Sequence, residues 1–236
     1  MNPSNRVIVA LDFESAVQAR QLVQLLGTSA QFYKIGLQLL TVHGPGLVHE
    51  LITAGKQVFL DLKLFEIPHS VAGAVAAAGQ LGVCMVTVHA SGGSAVLRAA
   101  VAAARPFPQL QILALTVITS MRDADLCEVG VKATVTEQVL RLAQLAASAG
   151  CHGVVASPQE AGLLRQLLPS EMLIVTPGTQ LSGDAQNDQM RIATPEQAIR
   201  AGATHLIIGR SISQAVNPVA SFSAILAQVA AASMHR

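Results

Sequence analysis

The stretch Gln57-Val58-Phe59-Leu60-Asp61-Leu62-Lys63 is a short apolar run broken by two charges, and its place in a repeating unit decides the fold. An Ala- and Gly-rich segment with helical spacing comes next, Val71–Leu81, then Gly82, then a second β-branched run, Met85–Ala90. Strand, helix, helix-ending glycine, strand is one unit of a parallel sheet. Outward from it the same unit recurs. Strands are expected at Arg6–Asp12, Phe32–Gly36, Gln57–Lys63, Met85–Ala90, Ile112–Thr119, Gly153–Ser157, Leu173–Gly178 and His205–Ile212. Helices are expected at Ala16–Leu26, Val71–Leu81, Thr134–Ala149 and Pro158–Leu167, and glycines 55, 82, 150 and 202 each precede a strand. Eight such units in 236 residues point to an α/β fold, a (β/α)8 TIM barrel forming a single domain over residues 1–236. Periodicity alone cannot show closure, so an open doubly wound sheet is the alternative.

Composition narrows the function. Half of the residues are apolar (51%), 12% are charged and the net charge is +1, which suits a core-rich globular chain. No basic run or basic-aromatic cluster offers a nucleic-acid surface. With no Trp and one Tyr, the core has to be built from Ala, Val, Leu and Ile. Cys84, Cys127 and Cys151 form no CxxC pair and read as reduced, buried thiols of a cytoplasmic protein. The N-terminus has no signal-peptide pattern. Residues 67–97 carry no Asp, Glu, Lys or Arg, but glycines 79 and 82, Gln80 and His89 interrupt them. A helix followed by a buried strand fits that segment better than a membrane span of roughly 20 strongly apolar residues.

The charges are placed against this background. Lysines are few, and two of them, Lys34 and Lys63, interrupt strand-like runs. Residues i and i+2 of a strand share a face, so Phe59, Asp61 and Lys63 point one way and Leu60 and Leu62 the other. With the apolar face packed on helices, the charged pair faces the barrel mouth. Asp12 ends the first strand in the same way. Chemistry in such barrels sits at the C-terminal strand ends, where Asp12, Lys34, Asp61 and Lys63 all fall. A buried ion-pair network that only fixes packing is the competing explanation. After strands seven and eight come Thr176-Pro177-Gly178-Thr179-Gln180 and Ile208-Gly209-Arg210-Ser211-Ile212, in the position where barrels build phosphate sites from loop amides. There Gly209 admits close backbone approach and Arg210 offers a bidentate fork. His89 ends strand four and suits a packing or hydrogen-bonding role. His43, His49, His152, His205 and His235 lack metal-ligand spacing.

These residues, taken in order, resemble the orotidine 5′-phosphate decarboxylase family. Asp61-Leu62-Lys63-Leu64-Phe65-Glu66-Ile67-Pro68 is similar to the family's Asp-x-Lys-x-x-Asp-Ile-Pro signature. Val9-Ala10-Leu11-Asp12, Lys34-Ile35-Gly36, Val88 to Gly93, Leu115 to Ser120, Thr176-Pro177-Gly178, Asp188-Gln189, Thr194 to Ala198 and Ile208-Gly209-Arg210 match along nearly the whole chain. The resemblance implies decarboxylation of orotidine 5′-monophosphate to uridine 5′-monophosphate, the last step of de novo UMP synthesis, without metal or organic cofactor. Lys63 would protonate C6 and Asp61 would crowd the substrate carboxylate. Lys34 would complete the charged network and, with Asp12, hold the ribose hydroxyls. Thr119 lies in the segment that contacts the pyrimidine, and Gln189, Gly209 and Arg210 would hold the 5′-phosphate. The family works as a homodimer with shared active sites, the second acid of the signature reaching into the neighbouring site.

Three positions depart from the family pattern. Glu66 stands for the Asp, lengthening the side chain by one methylene. His69-Ser70 replaces the common Asn-Thr, and Ser70 keeps the hydroxyl. Gln180 occupies the place of a phosphate-binding Arg, which leaves Arg210 as the principal guanidinium. Two further readings remain at this point. One is a Mg2+-dependent sugar-phosphate enzyme such as hexulose-phosphate synthase, with Asp12 and Asp61 as ligands and Glu66 assisting. The other is a catalytically silent phosphate-binding barrel.

Overall fold

Eight parallel strands close on themselves in sequence order, which rules out the open doubly wound sheet. They are β1 (Val7–Leu11), β2 (Phe32–Gly36), β3 (Gln57–Leu64), β4 (Met85–His89), β5 (Gln111–Leu115), β6 (Gly153–Val155), β7 (Leu173–Thr176) and β8 (His205–Ile208). The computed structural model describes residues 2–181 and 192–233. Closure is made by β1 against β8, with Val7, Ile8 and Val9 paired to Leu206, Ile207 and Ile208. Helices follow the strands and cover the outside, among them Ala16–Leu26, Pro68–Leu81, Val135–Ala149 and Pro218–Ser233. Among the described residues no helix is long and apolar enough to cross a membrane.

Strand alternation sorts the apolar residues into two layers. Val7, Val9, Leu11, Tyr33, Ile35, Val58, Leu60, Val86 and Val88 face outward into the core beneath the helices. Ile8, Ala10, Phe32, Phe59, Met85, Leu113, Leu115, Val155, Val175 and Ile207 fill the barrel interior. Gly153 keeps that interior closed at β6, since a Cβ there would lie 2.6 Å from Leu173 Cβ and 2.7 Å from its carbonyl oxygen. The helix-ending glycines behave as the sequence suggests, Gly82 and Gly150 taking the left-handed conformation at φ 84° and 83°.

Several strands end earlier than the sequence suggests. Strand five stops at Leu115, and Thr116 just beyond it donates to Val155 O through both its N–H (3.1 Å) and its hydroxyl (2.9 Å). Strand eight stops at Ile208 and Arg210–Ser213 is a short helix. Of the cysteines, all free, Cys151 is buried, Cys84 is half-buried and Cys127 is exposed, contrary to the expectation that all three are buried.

The bottom of the barrel is tied by Arg6. Its guanidinium donates to Thr204 O (3.0 Å), Ala203 O (2.8 Å) and Ser233 Oγ (2.8 Å). His205 is buried beside it, its ring edge-on to Phe32. Burial, reinforced by the Arg6 charge, pushes His205 from 6.5 down to about 4. Its folded value lies below its unfolded one, so the unfolded chain takes up the proton first. The stability contribution is present above pH 6.5 and is lost as pH falls toward 4, by up to about 3 kcal/mol. His205→Gln is expected to flatten the fall of the urea midpoint across that window; an unchanged slope would show that His205 is not held neutral by the fold.

Candidate active site

The interior layering places the charges. Asp12, Lys34 and Asp61 each stand two residues beyond an interior apolar residue, Ala10, Phe32 and Phe59, and so form the next layer up, at the mouth. Lys34 is 7% exposed, and its ammonium donates to Asp12 Oδ1 at 2.7 Å with Asp61 Oδ2 at 3.8 Å. Lys63 Nζ lies 2.8 Å from Asp61 Oδ2. The result is an alternating row, Asp12, Lys34, Asp61, Lys63, in which each buried charge has an opposite neighbour. Across the mouth the wall is apolar, with Leu115, Val155 and Ile207.

Simple alternation does not explain how Lys63 reaches this row. Leu60 pairs with Val86 and Leu64 with Val88, so Asp61, Leu62 and Lys63 bulge opposite the single residue Thr87. Lys63 takes φ 49° there; among the described residues no other non-glycine has a positive φ. Such a conformation persists only where its surroundings enforce it. Thr87 supplies part of that enforcement. Its Oγ1 accepts the Lys63 N–H (2.9 Å) and donates to Asp61 Oδ1 (3.0 Å). Sequence reasoning misses Thr87; the signal that could have marked it is its place two residues beyond interior Met85.

The row forms one side of a cavity of about 690 Å³. Thr119 lines it from the loop after β5, and Gly178, Gln180, Gly209 and Arg210 line the end beyond β7 and β8. Backbone bonds set that end: Gln180 N–H donates to Ala193 O (3.1 Å) and Ala193 N–H to Gly178 O (3.1 Å). The backbone N–H of Gln180 is thereby engaged where the residue lines the cavity. Gly209 lacks the Cβ that would approach Ala10 Cβ to 3.5 Å and Asp12 Oδ2 to 3.8 Å, which keeps the space above β1 open.

The remaining expected residues lie elsewhere. Glu66 is fully exposed in the loop before Pro68–Leu81 and does not line the cavity of its own chain. Hydrogen bonds from the Ser70 side chain and the Ile67 backbone hold its carboxyl below the usual range. Ser70 is likewise outside the cavity lining. Gln189 falls outside the described residues. His89 stacks at a tilt on Phe65, and its Nδ1 accepts the Ser91 N–H (3.2 Å). Burial, then the Lys63 charge, lowers its pKa. Among the described residues no three of His, Cys, Asp or Glu gather closely enough to hold a metal ion.

A barrel with this row of charges has relatives over nearly its whole length. The chain is 44% identical over 236 residues to the orotidine 5′-phosphate decarboxylase of Moorella thermoacetica, covering 97% of this chain and 94% of that protein. With the enzyme of the same name from Alcanivorax borkumensis it shares 46% over 231 residues, covering 98% and 100%. The crystal structure of orotidine 5′-phosphate decarboxylase from Lactobacillus acidophilus superposes with a TM-score of 0.84 at 32% identity, over 94% of this chain and 98% of that one. The family model that describes these barrels matches residues 5–225, and the chain belongs to the orotidine 5′-phosphate decarboxylase / HUMPS family.

Proposed function

We propose that this chain decarboxylates orotidine 5′-monophosphate to uridine 5′-monophosphate in the cytoplasm, without metal or organic cofactor, and that Lys63 is its proton donor. The observation that carries this reading is the Lys63 ammonium, 2.8 Å from Asp61 in a four-charge row that opens on the cavity. When the C6 carboxylate departs as CO2, its bonding pair stays on C6 as a vinyl carbanion with no electron sink. Fixed positive charge beside that carbon stabilises the developing carbanion, and an ammonium also delivers the proton that becomes C6–H. The Lys63 side chain is 35% exposed, so water can reprotonate the amine afterwards. Asp61 faces the departing carboxylate while Asp12 and Lys34 take the ribose hydroxyls. The apolar wall of Leu115, Val155 and Ile207 accepts the ring face, and Thr119 its polar edge.

The sugar-phosphate alternative shares the family model, but the curated relatives carry the decarboxylase name over their full length. The donor chemistry favours the same side. Asp12 and Asp61 are already paired with ammonium groups, and a divalent cation between them would have to displace or repel two lysines. Intactness of the row also weighs against a silent barrel. Purified protein should therefore bleach the absorbance of orotidine monophosphate in the presence of EDTA, and Lys63→Ala should abolish this while retaining its far-UV circular dichroism. Residual activity within tenfold of wild type would remove Lys63 from the donor role.

The phosphate belongs at the Gly178, Gly209 and Arg210 end, far from the reacting carbon, with Gln180 and Gln189 completing its contacts. Binding energy released there can offset the cost of orientation at C6. Arg210→Ala is expected to weaken nucleotide binding by about 2–5 kcal/mol through loss of a desolvated charge-assisted pair. Equal affinity of the wild type for nucleotide and nucleoside would sink the assignment.

The active unit is a homodimer in which Glu66, supported by Ser70, serves the neighbouring site. Glu66 lies between Phe65 and Ile67, which are 65% and 61% exposed, an apolar pair suited to burial against a second copy. Ile67 is extended (φ −58°, ψ 152°) before Pro68, which aims the loop outward before the helix starts. Mixing inactive Lys63→Ala and Glu66→Ala proteins should restore activity, because subunit exchange collects both lesions in one site and leaves the other whole. No recovery despite demonstrated exchange between dimeric mutants would place Glu66 in its own subunit's site.

A further inference from the structure

We infer that Thr87 is a positioning residue for the reaction: its hydroxyl fixes the plane of the Asp61 carboxylate, so that one oxygen faces the lysines, and holds Lys63 in its left-handed backbone. The inference rests on the role proposed for Lys63 and extends it to a residue that touches no substrate. Thr87 is fully buried and stands alone against the three-residue bulge Asp61-Leu62-Lys63. A hydroxyl has one hydrogen and two lone pairs, and both capacities are used toward the bulge. The hydrogen goes to Asp61 Oδ1, which leaves Oδ2 to meet Lys63 Nζ at 2.8 Å and Lys34 Nζ at 3.8 Å. A lone pair takes the Lys63 N–H, the amide of the residue at φ 49°.

Two functions are thereby coupled through one oxygen. The carboxylate cannot rotate about its Cβ–Cγ bond without breaking the Thr87 bond. The Lys63 backbone cannot relax to negative φ without moving its N–H from the same atom. A substitution that deletes the hydroxyl leaves a buried N–H without its partner and frees the carboxylate to turn. The ammonium would then sit off its line to C6, and displacements of about 1 Å can cost on the order of 100-fold in rate. Among the described residues the Thr87 hydroxyl bonds to Asp61 and Lys63, not to the phosphate end, which should keep its affinity.

The experiment compares Thr87→Val, which keeps shape and loses the hydroxyl, with Thr87→Ser, which keeps the hydroxyl, and with Lys63→Ala. Thr87→Val should lower kcat by about 10–100-fold, with KM and the Kd for uridine monophosphate within about threefold of wild type. Thr87→Ser should recover kcat to within about fivefold. Should Thr87→Val fail to fold, Thr87→Cys takes its place with the same expectation, a thiol being a weak donor and acceptor of similar size. A kcat within twofold of wild type for the hydroxyl-free variant would overturn the inference, as would an effect confined to KM. Thr87→Ser as impaired as Thr87→Val would assign the effect to the lost methyl and overturn it too. If Lys63→Ala itself turns over substrate, the proposed donor role fails first; if Lys63→Ala is dead and Thr87→Val fully active, the Thr87 inference alone fails.

Discussion

Everything at the mouth of this barrel depends on the burial of one ammonium. Lys34 projects from the second strand into a space that Phe32 and Phe59 close from below, and an unpaired charge there would be untenable. Its neighbours on both sides must therefore be acids, Asp12 from β1 and Asp61 from β3. Asp61, now facing Lys34, has capacity for a second cation, and Lys63 takes it. Removing Asp61 would leave Lys63 without its acid and Lys34 with Asp12 alone, so the row hangs on its two middle members. An arrangement that stabilises a developing carbanion needs this property, because its dipoles and charges are in place before the bond breaks.

The division of the mouth into halves is the second consequence. Strands β1 to β4 contribute Asp12, Lys34, Asp61 and Thr87 at their inward ends, whereas β5, β6 and β8 contribute Leu115, Val155 and Ile207. A flat ring laid between them would meet charge on one edge and hydrocarbon on its face. The apolar half lowers the local dielectric, which strengthens the field of the charged half. One alternation thus serves both layers for three of the four charges: the inward positions that pack the interior lower down carry Asp12, Lys34 and Asp61 one layer higher, and the bulge adds Lys63.

That alternation also explains how much is legible from residues alone. Strand positions and the helix-ending glycines are local properties, and Phe32–Gly36 and Ala16–Leu26 emerge with the bounds that their patterns suggest. The charged row is legible because Asp12, Lys34 and Asp61 break apolar runs at strand ends. Less legible are features that depend on tertiary partners. β5 and β8 end at Leu115 and Ile208, short of the bounds that periodicity suggests. The bulge at Asp61-Leu62-Lys63 is hidden because period-two counting happens to give Lys63 the right face for the wrong reason. Thr87 is hidden by being an ordinary residue for a strand; only its two partners across β3 distinguish it. Glu66 and Ser70 are picked out by the resemblance alone, and both lie outside the cavity lining of their own chain.

Arg6 carries a consequence for how the molecule comes to be made. Its three acceptors lie 197 to 227 residues away in sequence, and β1 has no second strand neighbour until β8 exists. On a ribosome, the segment 6–11 must therefore wait, one edge bare, through the synthesis of all the intervening strands. Loop-closure entropy on that scale is met only at the end, so the final pairing is a late, non-local event. A partly synthesised barrel is in effect an open sheet with an unpaired edge and a cation lacking its carbonyls, a species prone to pair with other chains. The segment 203–233 carries both the missing strand neighbour of β1 and the three acceptors of Arg6.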